Sequence, residues 1–279
     1  MNKSDALPYE NLYIYYLAGR LQTEKQIASQ SFIGNWEEDD FTFLFFSAPA
    51  EEEVTKLLRR EPQLSYIDHY HMAYDQWQGG KVTAFRHGGF CITPPWEWNG
   101  KCPAAVDKEL NILLDPGVVF GTGRHTTTRD CLEALELITT QQIPSIVLDL
   151  GTGTGLLALA AARLGCRKVL AVDLNSLAAK TAAKNVRLNR MEEQVLVVQG
   201  RAEDFIGCPA DLIIANIHYE VMQRLINFGG LRGGKNFILS GLMRSQAKDV
   251  LARLAQYPVK ILKTWTCDGI WYTFCGKMI

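Results

Sequence analysis

A glycine-rich segment from Asp149 to Gly155 (DLGTGTG) carries the sharpest chemical signal in the sequence. It joins an apolar run typical of a buried parallel strand to a run of helix-forming residues. Glycines let the backbone approach a ligand closely, and Gly151, Gly153 and Gly155 differ in spacing from the G-x-G-x-x-G fingerprint of dinucleotide sites. No lysine follows in phosphate-loop register. The segment therefore favours an adenosine ligand without a diphosphate.

Two aspartates accompany this glycine segment. Asp173 ends the next apolar run, where a carboxylate can accept both hydrogen bonds of a ribose diol. It serves NAD and S-adenosylmethionine equally well, and the adjoining Leu174 is placed in the same predicted site. Asp149 can accept a hydrogen bond from the ammonium group of a ligand or from the backbone of the loop. After the third strand, three residues are predicted to lie beside an adenine: Ala202, Glu203 and Asp204. A plain surface turn at this position is the alternative.

The elements that must position these residues alternate between strands and helices from residue 145 onward. Such alternation specifies an α/β fold with a parallel sheet and helices on both faces. Asp268-Gly269 lies between the last two β-rich runs and predicts a C-terminal hairpin, which adds an antiparallel strand. This combination is typical of the Rossmann-like class I methyltransferases. The predicted strands are 145–149, 168–173, 194–198, 211–215 and 236–240, and the hairpin strands are 259–266 and 270–274.

The rest of the chain predicts a smaller module and a connection. Residues 1–72 read as a small α+β substrate-recognition domain, with strands at 12–17, 41–46 and 64–70 and a helix at 49–60. Residues 73–115 are rich in glycine, proline and tryptophan and read as a linker that leads into the catalytic domain. Residues 116–279 form the predicted catalytic domain.

A second segment rich in glycine and threonine, from Asp115 to Thr128 (DPGVVFGTGRHTTT), lies upstream of the glycine turn. Its glycines make it flexible, and its threonines place hydroxyls at a predicted helix start. Such a loop can fold over the carboxylate of a ligand and exclude water. His125 is predicted to brace the loop or to act in catalysis. The predicted cofactor contacts in this loop are Phe120, Gly121, Thr122, Thr127 and Thr128.

The same segment resembles the pattern D-P-G-x-A-F-G-T-G-x-H-x-T-T of PrmA, the bacterial methyltransferase family of ribosomal protein L-eleven. Phe90 to Glu97 (FCITPPWE), Asn216 and Ser240 to Leu242 (SGL) are also similar to that family. The resemblance extends from about Trp77 to the C-terminus. It is highly specific between residues 120 and 128.

This resemblance implies a small N-terminal recognition domain, a flexible linker and a class I catalytic domain. It implies S-adenosyl-L-methionine as the methyl donor and trimethylation of lysine side chains and of an N-terminal amine. By position, Thr128, Gly151, Asp173 and Asn216 correspond to cofactor-contacting residues of the family. We therefore predict an S-adenosylmethionine-dependent N-methyltransferase that acts on a protein, with a ribosomal protein as the candidate partner.

One departure from the family concerns the predicted acceptor side. The family has N-I-L-A after the fourth strand, whereas this chain has Asn216-Ile217-His218-Tyr219. We predict that Asn216 and Tyr219 hold the acceptor nitrogen and that His218 shapes the wall or accepts a proton. The N-x-x-Y spacing is also similar to the N-P-P-Y loop of adenine and glutamine methyltransferases. A methyltransferase of nucleic acid or of a small amine stays open, as does a non-catalytic cofactor-binding homologue.

Composition limits the partners and the location. The formal net charge of −1 gives no general attraction to nucleic acid or membranes, although a local basic patch stays open. The seven cysteines are widely spaced with no C-x-x-C pair, which predicts scattered thiols and no metal site. The sequence shows no signal peptide and no apolar run near the roughly 18 residues of a membrane helix. We expect a cytoplasmic protein.

Overall fold

A computed structural model of the chain describes residues 7–22, 27–100, 110–227 and 234–279. The chain divides into two compact units. The first comprises Met1–Thr83 with Asn175–Leu177, and the second comprises Ala84–Leu174 and Ala178–Ile279. Within the described residues, no helix is long and apolar enough to cross a membrane. Every residue predicted for the cofactor or acceptor site belongs to the second unit.

The first unit is a four-stranded antiparallel sheet covered by one helix. Its elements are β1 (Asn11–Ala18), β2 (Phe32–Glu38), β3 (Phe41–Phe46), α1 (Glu51–Arg60), β4 (Ser65–Ala73) and the short helix α2 (Tyr74–Trp77). The sheet order is β2-β3-β1-β4. Alternating apolar residues of β1 and β3 pack against Val54 and Leu57 of α1, which makes a small core. Strand β2 was not predicted, because Gly34 and its acidic end interrupt the apolar pattern.

A three-stranded sheet opens the second unit. It consists of β5 (Phe85–His87), β6 (Phe90–Thr93) and β7 (Leu110–Leu113), in which β6 and β7 are parallel. Phe90, Ile92 and Ile112 are fully buried in the same core as the helices that follow. The predicted linker, 73–115, therefore contributes to the core of the second unit from Ala84 onward.

The main sheet of the second unit has seven strands. Its elements are α3 (Thr126–Gln141), β8 (Ile146–Leu150), α4 (Leu156–Arg163), β9 (Lys168–Asp173), α5 (Ser176–Leu188), β10 (Val195–Gln199), β11 (Ala210–Asn216), α6 (Tyr219–Asn227), β12 (Gly234–Met243), α7 (Arg244–Leu254), β13 (Val259–Cys267) and β14 (Trp271–Met278). The strand order is β10-β9-β8-β11-β12-β14-β13. Strands β8 to β12 are parallel, and β14 and β13 are antiparallel to their neighbours.

This topology confirms the predicted Rossmann-like fold with a C-terminal antiparallel hairpin. Strand β8 lies between β9 on one side and β11 on the other, so the direction of winding reverses there. In open α/β sheets, ligands bind at the carboxyl ends of the strands beside such a reversal. The residues that follow β8, β9 and β11 are therefore the ones placed to form a site.

Cysteine chemistry differs from the prediction at one position. Cys91 in β6 is disulfide-bonded, so the expectation of scattered thiols is wrong for this residue. Wide spacing along a sequence does not report distance in space, which is why the prediction failed. The free cysteines among the described residues include Cys131, Cys166 and Cys275, which are buried.

Candidate functional site

The glycine turn between β8 and α4 is held in a shape that side chains would prevent. Gly151, Gly153 and Gly155 all have positive φ, at 72°, 55° and 84°. The backbone N–H groups of Gly151 and Thr152 donate to the carbonyl of Val172 in β9 at 2.8 and 3.0 Å. The turn is therefore fixed against the end of the neighbouring strand, and its left-handed backbone favours glycine at all three positions.

Asp173 lies at the end of β9, directly beside this turn. Its Oδ2 accepts a hydrogen bond from the N–H of Gly153 at 2.9 Å. The following residue, Leu174, leaves 68% of its surface exposed. An acidic group and an apolar side chain thus border the turn on the β9 side, where the sequence predicted a ribose contact.

Asp149 is buried beneath the turn. Its Oδ2 accepts a hydrogen bond from the Thr152 hydroxyl at 2.6 Å. Burial raises the pKa of Asp149 to about 7, and the nearby charge of Asp173 adds to the rise, while the Thr152 hydrogen bond opposes it. A cationic group brought close to this carboxyl would therefore favour its ionised form and lower its pKa.

The upstream glycine–threonine segment is tied to the glycine turn. The N–H of Thr154 donates to the carbonyl of Phe120 at 3.1 Å, and the Thr154 hydroxyl donates to the carbonyl of Gly121 at 2.5 Å. A Cβ on Gly153 would lie 2.5 Å from the Phe120 oxygen. The Phe120 ring itself is 75% exposed. The two motifs, which are separate in sequence, therefore form one interlocked structure.

The start of α3 brings the second segment to the end of β11. His125 is the N-cap, and its Nδ1 accepts from the N–H of Thr127 at 3.4 Å and contacts the Thr127 hydroxyl at 2.8 Å. The Asn216 amide donates to the same Thr127 hydroxyl at 3.4 Å. Thr127 and Thr128 are buried. Thr127 thus joins the predicted lid to the predicted acceptor side.

The four residues after β11 do not share one environment. Ile217 packs over the turn, since a Cβ on Gly151 would lie 2.2 Å from its Cγ2. His218 is exposed. The Tyr219 hydroxyl donates to Asp249 of α7 at 2.8 Å and accepts from Gln223 at 2.6 Å. This hydroxyl therefore contributes to the contact between α6 and α7, and an acceptor-side role remains a prediction for Asn216, His218 and Tyr219.

The residues predicted beside an adenine form a 3-10 turn, Ala202–Phe205, after β10. Arg224 of α6 donates to the Glu203 carboxylate at 2.6 Å, and Arg201 lies 3.6 Å from the same oxygen. Although burial alone raises it, the pKa of Glu203 is lowered overall by hydrogen bonds from its own backbone and from Arg224. Ala202 is partly buried and packs against the apolar cluster that includes Leu150 and Val172. Glu203 therefore already has a cationic partner.

Several polar residues that support the site were missed by the sequence analysis. The Asn185 side chain in α5 accepts from the N–H of Asp115 at 2.9 Å and donates to the carbonyls of Asp115 and Thr154 at 2.9 and 2.8 Å. In the sequence, only the polar residue at a buried position of an amphipathic helix could have indicated the role of Asn185. Ser240 and Thr273 are also buried and hydrogen-bonded to each other.

Known proteins resemble this chain in sequence. A family model described as "Ribosomal protein L11 methyltransferase (PrmA)" matches residues 30–278. The chain belongs to this family. The resemblance predicted from the segment around residues 120–128 is thereby confirmed.

Curated relatives in the family give the extent of the match. The "Ribosomal protein L11 methyltransferase" of Anoxybacillus flavithermus is 39% identical over 190 residues, covering 67% of this chain and 59% of the relative. The protein of the same name from Desulfitobacterium hafniense is 35% identical over 222 residues, covering 76% of this chain and 68% of the relative. The chain therefore spans about three fifths of the first relative's length.

A solved structure supports the fold of the chain. The ribosomal protein L11 methylase from Lactobacillus delbrueckii subsp. bulgaricus superposes with a TM-score of 0.61 at 29% identity, covering 71% of this chain and all of that chain. The predicted class I methyltransferase fold is confirmed by this likeness together with the strand order.

Proposed function

We propose that the second unit binds S-adenosyl-L-methionine and transfers its methyl group to an amino group of a protein, with a ribosomal protein as the substrate. The observation that carries the proposal is the pair of carboxylates at the glycine turn, Asp149 below it and Asp173 beside it. The turn itself contains no lysine or arginine. The carboxylate of Asp149 opposes a diphosphate and favours a ligand with positive charge, while Asp173 suits the ribose of an adenosine ligand.

The residues present fit this cofactor. A sulfonium nucleoside with an amino acid moiety offers a ribose diol for Asp173 and an ammonium group for Asp149. Binding a cation there would compensate the burial that raises the pKa of Asp149 to about 7. The exposed Phe120 and Leu174 offer apolar surface for the purine side of the ligand.

A buried polar atom at the start of α3 supports the fit. Among the described residues, the Thr126 hydroxyl oxygen is buried and has no hydrogen-bond partner. Such groups usually have a partner in the functional state. Its place at the first position of α3, next to the cap His125, suits the carboxylate of an amino acid ligand.

The cofactor supplies an electrophilic methyl group. The chain's residues then have to align a neutral amine and exclude water. We assign alignment to Asn216, whose amide is fixed by Thr127, and the wall of the acceptor channel to Ile217 and His218. A lysine acceptor must lose its proton first, which apolar surroundings encourage. The Tyr219 hydroxyl is bonded to Asp249 and has no part in this assignment.

The substrate class is supported by the relatives' names and by charge. The relatives are named as methyltransferases of ribosomal protein L11. Residues 1–83 contain 13 acidic and 7 basic residues, a formal net charge of −6, so the remainder carries +5. An acidic first unit favours a basic protein partner. We place the reaction in the cytoplasm, where ribosomal proteins are made.

The test is transfer of labelled methyl groups from S-adenosylmethionine to ribosomal protein L11, to total protein and to ribosomal RNA. We expect label on lysine or N-terminal amines of L11, located by mass spectrometry. Label on RNA or a small amine alone would contradict the substrate. Cofactor binding without transfer to any fraction would favour a non-catalytic homologue.

A variant pair tests the cofactor site. Asp173→Ala removes the predicted acceptors for the ribose diol, and we expect the dissociation constant for S-adenosylmethionine to rise at least about tenfold. Calorimetric titration measures it. The control is Glu192→Ala, an exposed acid after α5. Equal affinity in the two variants would contradict the assignment of Asp173.

A further inference from the structure

A chain of buried hydroxyls joins α3, β12 and β14 behind the candidate site. The Thr273 hydroxyl of β14 donates to Oδ2 of Asp130 at 3.0 Å, and it lies 2.6 Å from the Ser240 hydroxyl of β12. The Ser240 hydroxyl in turn donates to the carbonyl of Thr127 at 3.4 Å. Ser240 and Thr273 are both fully buried. The chain therefore begins and ends on α3, one helical turn apart.

Thr127 is the point where this chain meets the candidate site. Its hydroxyl contacts His125 at 2.8 Å and accepts from the Asn216 amide at 3.4 Å. Asn216 and Ser240 are also register partners in the parallel pair β11–β12. The position of Thr127 relative to Asn216 thus depends on both the β-sheet and the hydroxyl chain.

Counting hydrogens shows why Asp130 matters. The three contacts are Asp130 with Thr273, Thr273 with Ser240, and Ser240 with the Thr127 carbonyl. Each needs one hydrogen, and the two hydroxyls supply only two. The third hydrogen must come from another group, or one contact is weakened. When Asp130 is ionised, Thr273 donates to it, and the single hydrogen of Ser240 is shared among Thr273, the Thr127 carbonyl and the Cys131 sulfur. When Asp130 is protonated, it donates to Thr273, Thr273 donates to Ser240, and Ser240 donates to the Thr127 carbonyl. The proton of Asp130 therefore sets the direction of the Thr273 hydrogen bond and decides whether Thr273 can donate to Ser240.

We infer that Asp130, Thr273 and Ser240 are positioning residues that fix Thr127, and through it Asn216, against the reacting amine. This inference rests on the proposed methyl transfer and on the role given there to Asn216. None of the three residues was assigned to the site from sequence. Asp130 is partly buried, and the charged or titratable groups that interact with it are Glu133, His87, His125 and the buried thiol of Cys131.

The central test compares Thr273→Val with Thr273→Ser in the full chain. Valine keeps the shape and removes the hydroxyl, so we expect kcat for methyl transfer to L11 to fall about tenfold or more, because small misplacements at a reacting centre are costly. KM for S-adenosylmethionine should change less than kcat does, because Asp149 and Asp173 at the glycine turn are not touched. Thr273→Ser keeps the hydroxyl and should restore kcat to within about twofold of the native value.

The matched control is Thr93→Val, the same change at a fully buried threonine of β6 whose hydroxyl contacts only Cys91 among the described hydrogen bonds. It should lower the unfolding temperature as Thr273→Val does, but leave kcat close to native. Equal kcat for the two valine variants would overturn the inference. So would a failure of Thr273→Ser to recover activity while it folds normally.

A second pair covers the case in which Thr273→Val does not fold. Asp130→Asn keeps an acceptor for Thr273, whereas Asp130→Ala removes it. We expect Asp130→Asn to keep more kcat than Asp130→Ala by at least about threefold at equal cofactor affinity. Equal kcat for both would overturn the inference. If the native protein binds S-adenosylmethionine but labels no substrate, the proposed function has failed, which is a different result.

Discussion

At the scale of single residues, Asp149 shows how burial changes the behaviour of an acid. Its carboxyl is 1% exposed, and its pKa of about 7 lies well above the roughly 3.9 of an exposed aspartate. Between these two pH values the folded chain keeps the proton while the unfolded chain releases it. Asp149 therefore lowers the stability of the ligand-free protein as pH rises from about 4 to about 7.

Replacing Asp149 with asparagine should remove this dependence. We expect Asp149→Asn to gain stability relative to the native protein as pH rises from 5 to 8, by up to about 1.4 kcal/mol per unit below pH 7. Thermal unfolding without cofactor, at both pH values, measures the gain. Asp268→Asn makes the same substitution at an exposed turn and corrects for the loss of one acidic group. A difference independent of pH would contradict the burial effect.

At the scale of elements, the turn between β8 and α4 depends on close approach of two backbones. Gly153 has a φ of 55°, and a Cβ there would meet the Phe120 carbonyl oxygen at 2.5 Å. A carbonyl cannot rotate away as a side chain can, so the two interlocked segments would have to separate.

Gly153→Ala should therefore cost stability and cofactor binding together. We expect a loss of about 1–3 kcal/mol in unfolding free energy from backbone strain, and at least about tenfold weaker binding of S-adenosylmethionine. The control is Gly207→Ala, because a Cβ added at Gly207 would meet no atom within 4 Å and the residue has no positive φ. Thermal unfolding and calorimetry measure both. Native-like binding by Gly153→Ala would show that the segments tolerate separation.

Helix α5 supports the same region through two asparagines one turn apart. Asn185 bonds the backbone of Asp115 and Thr154, and Asn189 bonds the N–H and carbonyl of Leu113 at 3.0 and 2.7 Å. These side chains therefore hydrogen-bond the backbone at the end of β7 and just beyond it. The glycine turn is thereby hydrogen-bonded both to α5, through Asn185, and to the end of β9, through the Val172 carbonyl.

Removing Asn185 should leave three buried backbone groups without partners. We expect Asn185→Leu to lower the unfolding free energy by about 2–4 kcal/mol, because each unsatisfied buried group costs about 1–3 kcal/mol and some will find water. Denaturant unfolding measures the loss. Asn236→Leu removes a single 3.3 Å bond at a half-buried site and should cost clearly less. Equal losses would mean that the asparagine pairing contributes little.

At the scale of the whole molecule, charge separates the two parts of the sequence. Residues 1–83 carry a formal net charge of −6, although the chain as a whole carries −1. Glu51, Glu52 and Glu53 cluster in the first turn of α1. A basic substrate protein would be drawn to such a surface, more strongly at low ionic strength.

Neutralising this cluster should weaken substrate capture without changing chemistry. For the triple variant Glu51→Gln, Glu52→Gln, Glu53→Gln we expect KM for the protein substrate to rise about fivefold at low salt, with kcat unchanged. The difference should shrink at high salt. Glu192→Gln with Glu193→Gln serves as the control on the second unit. A fall in kcat, or an equal effect of the control, would contradict recognition by the first unit.

Local patterns in the sequence determined the order of elements in the second unit, the C-terminal hairpin and the two glycine motifs, because periodicity and turn chemistry act over a few residues. The family followed from the same short segments. Strand β2 and the burial of the segment from Ala84 were not predictable in this way. Their patterns are weak, and their partners lie far away in the chain.

The pairing of polar side chains is visible only in the folded chain. The Tyr219 hydroxyl bonds Asp249, 30 residues away, which the N-x-x-Y spacing did not indicate. Asp130 and Thr273 are 143 positions apart and form a hydrogen bond that no local pattern could reveal. A sequence motif specifies the backbone that can approach a ligand, whereas the direction of each side chain depends on partners that the folded chain brings together.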